Sequence, residues 1–235
     1  MLHSRPIYCV LVLAADLNVT LRYLRMTRSQ FLRSLLVLAL LVCAACNDPA
    51  RPGSRAGRAT NPAALCACKP THITKDDWRI EFKNGSLPQS DPTDTTTAAI
   101  LQWPEGPEPG RRTARSGREL ILYRIRKAYL QTVFFRRSDC DLHLEISEDA
   151  SKTAPRMIVE TPGTGEYCLA RSTLFTNLQN RGITITDLNQ EVKPQDVEVI
   201  GVPFRDQAHP VWFARGSDKV ATVWELHPAT VKLLP

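Results

Sequence analysis

Residues 138–146 (SDCDLHLEI) alternate polar and apolar side chains, with Asp139, Asp141, His143 and Glu145 on one side and Leu142, Leu144 and Ile146 on the other. A period of two is the signature of a strand, and a strand polar along one side reads as half-buried. After a polar turn around residues 148–155 the chain resumes as RMIVETP (156–162), an antiparallel partner for the first strand. Near the C-terminus VWELHP (223–228) repeats the arrangement, with Val223, Glu225 and His227 on one face and Trp224 and Leu226 on the other.

The remaining elements follow from composition and punctuation. Residues 119–137 are rich in Ile, Leu, Val, Tyr and Phe without a helical period or cap, which predicts one long, bent strand. Residues 170–181 carry Leu174, Phe175 and Leu178 at helical spacing, with Ser172 or Thr173 as cap and Gly182 as the stop. Strands are expected at 196–204, bent near Gly201, Val202 and Pro203, and at 220–226. The order strand, strand, strand, helix, strand, strand is that of an OB-fold, a mainly β five-stranded barrel with one helix. A four-stranded sheet with one helix is the competing architecture. Residues 69–117 read as an irregular N-terminal extension, with a short strand at 78–82 (WRIEF) and a helical turn on an Asp or Thr cap within 94–101. The barrel domain is expected over 118–235.

The chain carries 30 Lys and Arg against 24 Asp and Glu, a net charge of +6. Residues 1–46 hold five of the basic residues and one of the acids, leaving 25 against 23, or +2, for residues 47–235. The basic character is largely that of the leader. There, residues 34–45 (SLLVLALLVCAA) follow Arg28 and Arg33 and end in small residues, the build of a secretory signal peptide, and are too short to span a bilayer. Residues 42–46 (VCAAC) resemble a bacterial lipobox, with Cys43 where an aliphatic residue is usual, and this predicts lipidation at Cys46. Plain signal-peptide cleavage and an uncleaved anchor are the alternatives. Met26 begins a leader of ordinary length, so residues 1–45 form the signal region with a start expected at Met26. Residues 46–68, rich in Pro, Gly, Ala and Arg up to Pro62, read as a lipidated cysteine and flexible tether. The expected location is the periplasm or cell surface, held to the membrane by lipid.

An exported protein meets an oxidising compartment, where Cys66, Cys68, Cys140 and Cys168 can pair. Four cysteines allow three pairings. Cys66 and Cys68 are too close for an easy mutual bridge, so each is expected to reach Cys140 or Cys168 or to stay free. No paired C-x-x-C spacing suggests zinc at these cysteines.

Four ordered blocks carry a resemblance. Asp139, Asp141, His143 and Leu144; Met157, Ile158, Glu160 and Pro162 with Cys168; Gly201, Val202, Phe204, Asp206 and His209; and Glu225, Leu226, His227 and Pro228 together resemble an uncharacterised group of exported bacterial proteins. Their pattern runs D-G-D-x-H-L, M-I-x-E-x-P, C, G-V-x-F-x-D-x-x-H, E-L-H-P. The resemblance covers about residues 118–230, with Cys140 standing where the group has Gly. It implies a domain and its order, and no activity.

The same blocks supply the candidate site: Asp141, His143, Glu145, Glu160, His209, Glu225 and His227. Histidines and carboxylates converging from separate strands suit a divalent ion such as Zn²⁺, which would make the protein a metal-dependent hydrolase or nuclease. The structural alternative has His143 and His227 donating to Glu160 or Glu225 and tying strand to strand. No other resident cofactor is expected; a P-loop and a nucleophile elbow are both missing from the sequence. A second candidate is the basic stretch Arg118, Arg124, Arg126, Lys127, Arg136 and Arg137, interleaved with Tyr123, Tyr129, Phe134 and Phe135, which fits single-stranded nucleic acid. Near-neutral charge and the acidic strand expected alongside argue against that partner and for salt-bridged neighbouring strands. The sequence therefore points to a binding module for an envelope polymer or a protein partner.

Overall fold

A computed structural model describes residues 61–69, 79–206 and 216–235. The leader, Met26, Cys46 and the tether up to residue 60 lie outside the described residues. The elements are α1 (Pro62–Ala67), α2 (Ile80–Lys83), β1 (Thr93–Thr95), α3 (Thr97–Leu101), β2 (Tyr123–Phe135), β3 (Leu142–Ser147), β4 (Arg156–Thr161), α4 (Cys168–Asn180), β5 (Glu191–Arg205) and β6 (Val220–Leu233).

Five strands close on themselves in the order β2, β3, β4, β6, β5 and back to β2. All neighbours are antiparallel except β4 and β6, which run parallel. With α4 between the third and fourth barrel strands, this is the OB order. Closure demands that β2 serve two partners. Its register slips between Ile125 and Ala128 against β5, and between Leu130 and Thr132 against both β5 and β3. Such bulges increase local twist and let one strand bend across two others. β1 extends the sheet by pairing in parallel with the first residues of β2.

Ile125, Leu130, Leu142, Leu144, Val159, Val199 and Leu226 fill the barrel, and Leu174, Phe175 and Leu178 of α4 belong to the same core. α4 begins at Cys168, directly after a 3-10 turn over Gly165–Tyr167, and so starts earlier than its apolar spacing predicts. It stops as expected at Gly182, whose φ of 77° lets the Gly182 and Ile183 amides reach the carbonyls of Gln179 and Leu178.

Several expectations are corrected. Residues 80–83 form a helical turn where a strand was expected at 78–82. Residues 117–120 form a 3-10 turn closed by a capping box between Ser116 and Glu119, so the first barrel strand begins only at Tyr123. Thr96, as a Thr cap, does start the helical turn in 94–101, accepting from the Ala99 amide at 3.1 Å. β6 runs on past residue 226 to Leu233. Finally, β3 is buried along its entire length, as is β4, because the polar side of this pair is covered.

The covering comes from the N-terminal segments. Two disulfides, Cys66–Cys168 and Cys68–Cys140, fasten α1 and the residue after it to the start of α4 and to the turn before β3. The end of the expected tether is therefore part of the fold. The bridges join residues 102 and 72 positions apart, and closing one loop of that length stabilises the native state by about 4–5 kcal/mol on the chain-entropy view, the second, nested bridge adding less. Arg79, fully buried, forms a two-pronged pair with Glu119 at 2.8 Å and also donates to the carbonyls of Thr113 and Arg205. Arg115 donates to the carbonyls of Phe82, Lys83, Pro203 and His227. These guanidiniums hold α2 against β5 and β6.

At the bend of β5, Gly201 approaches β6 so closely that an added Cβ would lie 2.7 Å from Ala229 Cβ and 2.9 Å from the Pro228 carbonyl oxygen. Gly201→Ala is expected to cost about 1–3 kcal/mol by forcing the two strands apart. Urea denaturation monitored by Trp fluorescence measures this, and an unchanged midpoint would contradict it.

Candidate functional site

The register of β3 and β4 determines which side chains share the outer face of the barrel. Leu142, Leu144 and Ile146 point inward, leaving His143, Glu145 and Ser147 outward, opposite Glu160, Ile158 and Arg156 of β4. Parallel pairing of β6 sets Glu225 beside Ile158, with His227 two residues further along the same face. In OB barrels this face, flanked by the loops before the second and fifth strands, is where ligands are usually held. Here Lys83 and Asn84 from the end of α2, and Ser217 from the β5–β6 loop, bond directly to its polar groups.

Glu160 is the centre of one network. Its Oε1 accepts from His143 Nδ1 at 2.8 Å, and its Oε2 accepts from His227 Nδ1 at 2.8 Å and from the Lys83 ammonium at 3.0 Å. Because an ionised carboxylate can only accept, both rings carry their proton on Nδ1. Lys83 also pairs with Glu225 at 3.1 Å. The far nitrogen of His227, Nε2, meets Asn84 Oδ1 at 2.8 Å and Asp141 Oδ2 at 3.7 Å. His143 Nε2 is buried without a hydrogen-bond partner among the described residues, and its ring packs on Phe134 with centroids 4.4 Å apart.

Asp141 enters this network from the loop between β2 and β3. Its amide donates to Asp139 Oδ1 at 3.1 Å, and its Oδ1 accepts from the Gly163 amide at 2.9 Å. That approach needs a glycine, since a Cβ at 163 would lie 2.5 Å from Cys140 Cβ. Cys140 itself has a φ of 69°, the left-handed region that favours Gly. Here a cysteine occupies that conformation, with its sulfur bonded to Cys68.

Burial and charge pull the ionisable groups apart. Burial raises Asp141 to about 7 with help from Glu160 and Asp139, although the charge of His227 opposes this. Burial also disfavours the charged forms of Glu160 and Glu225. For Glu160 the Lys83 ammonium and both histidines more than reverse this and hold the carboxyl well below its ordinary range. The same ammonium, together with His227, brings Glu225 down to about 2. His227 is disfavoured as a cation by burial and by Lys83, yet bonds to Glu160 and Glu225 and the charge of Asp141 lift it to about 9. Lys83, despite burial, is held well above its ordinary range by Glu160, Glu225, Asp206 and Asp141.

Glu145 belongs elsewhere. Its carboxylate accepts from the Ser217 amide and hydroxyl, both at 2.6 Å, and pairs with Arg156 at 3.2 Å. Arg156 in turn reaches Thr132 and Glu191. This second network holds Ser217, just before β6, against the barrel. Of the residues singled out in the sequence, Asp141, His143, Glu160, Glu225 and His227 thus come together, Glu145 is set apart, and His209 lies outside the described residues. Lys83 and Asn84 were missed because WRIEFKN carries no pattern that marks a site.

The basic stretch does not form a common face. Arg124 and Arg126 both bind Asp94 of β1, Lys127 binds Asp196 of β5, and Arg137 binds Asp187. Arg118 stacks on Trp103 and Trp224, and Arg136 only partly offsets the burial and the Glu160 charge that raise the carboxyl of Asp139. Phe134 and Phe135 are buried and unavailable for base stacking. The expected pairing with the acids of the next strand is corrected: those acids face the Glu160 and Glu145 networks, while the partners of the basic residues come from β1, β5 and the α4–β5 loop.

The shifts translate into a pH profile. His227 holds its proton more tightly in the folded chain, so the stability this provides is complete below about pH 6.5 and is lost as the pH rises through about 9. Asp141, raised to about 7, adds a loss that begins near pH 4. Glu225 acts in the opposite sense, its contribution complete above about pH 4.5 and lost as the pH falls toward 2. In chelator-containing buffer the melting temperature is expected to peak near about pH 5 and to decline toward pH 9. His227→Gln lowers the peak and flattens the alkaline decline; a wild-type profile flat between pH 6.5 and 9 would contradict the assignment.

Comparison with family models, with curated proteins and with solved structures finds no match to this chain.

Proposed function

We propose that the protein is an exported bacterial lipoprotein, acylated at Cys46, whose OB barrel is a binding module for an envelope polymer or a protein partner. Export is supported by the apolar leader, the VCAAC boundary and two disulfides that require an oxidising compartment. The observation that carries binding is an open cleft of about 420 Å³ beside α2, lined by Phe82, Pro88, Arg115, Leu120, Val202 and Pro228 among others. Leu120 is 61% exposed at its rim and Ile121 next to it 41%. Paired exposed aliphatics beside the exposed carboxylate of Glu81, which lines the same cleft, suit a partner with both apolar and polar surface. Nucleic acid is disfavoured, since the arginines and lysine of the β2 strand are already paired with carboxylates.

Two measurements test this. Cys46→Ala is expected to abolish incorporation of labelled palmitate and to move the protein from the membrane fraction to the soluble exported fraction; unchanged labelling would remove the anchor from the proposal. A photo-crosslinking amino acid at position 120 of the full-length chain, activated in cells, is expected to trap the partner. An adduct sensitive to muramidase identifies a polymer and one sensitive to protease identifies a protein, whereas no adduct at this position contradicts the cleft as the binding site.

A further inference from the structure

We propose that Asp141, Asn84 and His227 form a binding site for one divalent transition-metal ion, with Zn²⁺ as the best-suited ion and Glu160 as the residue that orients the histidine. The site lies at the end of α2 and over the β3–β4 face, and it stands whether or not the neighbouring cleft holds a partner.

The geometry at His227 is the starting point. One ring nitrogen, Nδ1, is committed to Glu160 at 2.8 Å, and the other, Nε2, faces two oxygen atoms from separate segments, Asn84 Oδ1 at 2.8 Å and Asp141 Oδ2 at 3.7 Å. Histidines that bind metals through one nitrogen characteristically donate the other N–H to a carboxylate, which fixes the ring and strengthens it as a ligand. Glu160 does this for His227 and at the same time holds His143, so its orientation is itself fixed from two sides.

Asp141 has the complementary form. Its Oδ1 is fixed by the Gly163 amide at 2.9 Å, which leaves Oδ2 directed toward His227 as a one-oxygen ligand. Ligand atoms of Asp141, Glu160 and His227 all lie within 4.8 Å of one another, and all three residues are buried. Ligands bound about 2.0–2.2 Å from a tetrahedral Zn²⁺ stand roughly 3.4 Å apart, close to the 3.7 Å between His227 Nε2 and Asp141 Oδ2, while Asn84 Oδ1, hydrogen-bonded to Nε2 at 2.8 Å, draws back by about 0.6 Å as the ion replaces the Nε2 proton. One nitrogen and two oxygens suit Zn²⁺, with Mn²⁺ as the harder competitor.

Charge points the same way. Three buried carboxylates, Asp141, Glu160 and Glu225, face two cationic side chains here: Lys83, shared between Glu160 and Glu225 at 3.0 and 3.1 Å, and His227, whose Nε2 lies 3.7 Å from Asp141 Oδ2. Buried carboxylates in excess of nearby cations are costly unless another positive charge joins them. A dication between Asp141, Asn84 and His227 takes the place of the His227 Nε2 proton, which is released to solvent, and so adds one net positive charge without displacing Lys83 from its partners.

The test uses the full-length chain purified in detergent, stripped with chelator, and titrated with Zn²⁺ and Mn²⁺ against a competing dye, with elemental analysis of the product. The wild type is expected to hold about one Zn²⁺ per chain and to melt higher with Zn²⁺ than in chelator. Asn84→Ala, at a part-exposed position, and Asp141→Asn are expected to weaken Zn²⁺ at least tenfold. Glu145→Gln, in the separate Arg156 network, is expected to leave Zn²⁺ affinity unchanged. Melting in chelator shows which variants fold, and Asn84→Ala keeps the test open if the buried variants do not. Wild type that binds neither ion at micromolar concentration, or a folded Asn84→Ala and Asp141→Asn that bind Zn²⁺ as tightly as wild type, would overturn the site.

Discussion

The carboxylate of Glu160 is the interaction on which the covered face of the barrel depends. Its two oxygens gather His143 from β3, His227 from β6 and Lys83 from α2, so three segments far apart in the chain meet at one buried charge. A carboxylate withdrawn from water is unfavourable by several kcal/mol unless it is fully bonded and neutralised. Satisfying it therefore ties the N-terminal extension to the barrel rather than leaving it as a loose appendage.

Other contacts enforce the same attachment. Arg79 bonds Glu119 and the β5 carbonyl of Arg205, Arg115 spans from α2 to β5 and β6, and the disulfides bring the segment around Cys66 and Cys68 onto α4 and the β2–β3 loop. The arrangement trades the open ligand face of a bare barrel for a polar interior under a roof. It moves the accessible concavity to the side of α2, where Leu120 faces solvent, and leaves Asn84 and Asp141 at one edge of the polar interior.

Much of the barrel was legible in the sequence because its periodicities are local. The alternation of residues 138–146, the partner at 156–162 and the helix stopped by Gly182 each reflect a side-chain pattern that backbone geometry alone imposes. The histidines could be matched to Glu160 because opposite positions on adjacent strands are neighbours in space. What misled was also local. WRIEF has the residue types of a strand, yet Arg79 is drawn to Glu119 and the backbone turns there into α2, and Glu119 serves as a capping residue before the strand starts. The acids of β3 looked like partners for the arginines of β2, but they lie beneath other segments.

By itself, then, the sequence determined the order of the strands, the place of the helix and the residues able to carry charge chemistry, because these depend on spacing along a few residues. Tertiary structure decided that Glu145 holds Ser217 while Glu160 gathers histidines, that Lys83 and Asn84 complete the cluster, and how the cysteines pair. These outcomes depend on closing the barrel and folding α2 over it. Only then are the outward charges of β3 and β4 removed from water, and which partner each must find is a matter of distance through space that no local pattern encodes.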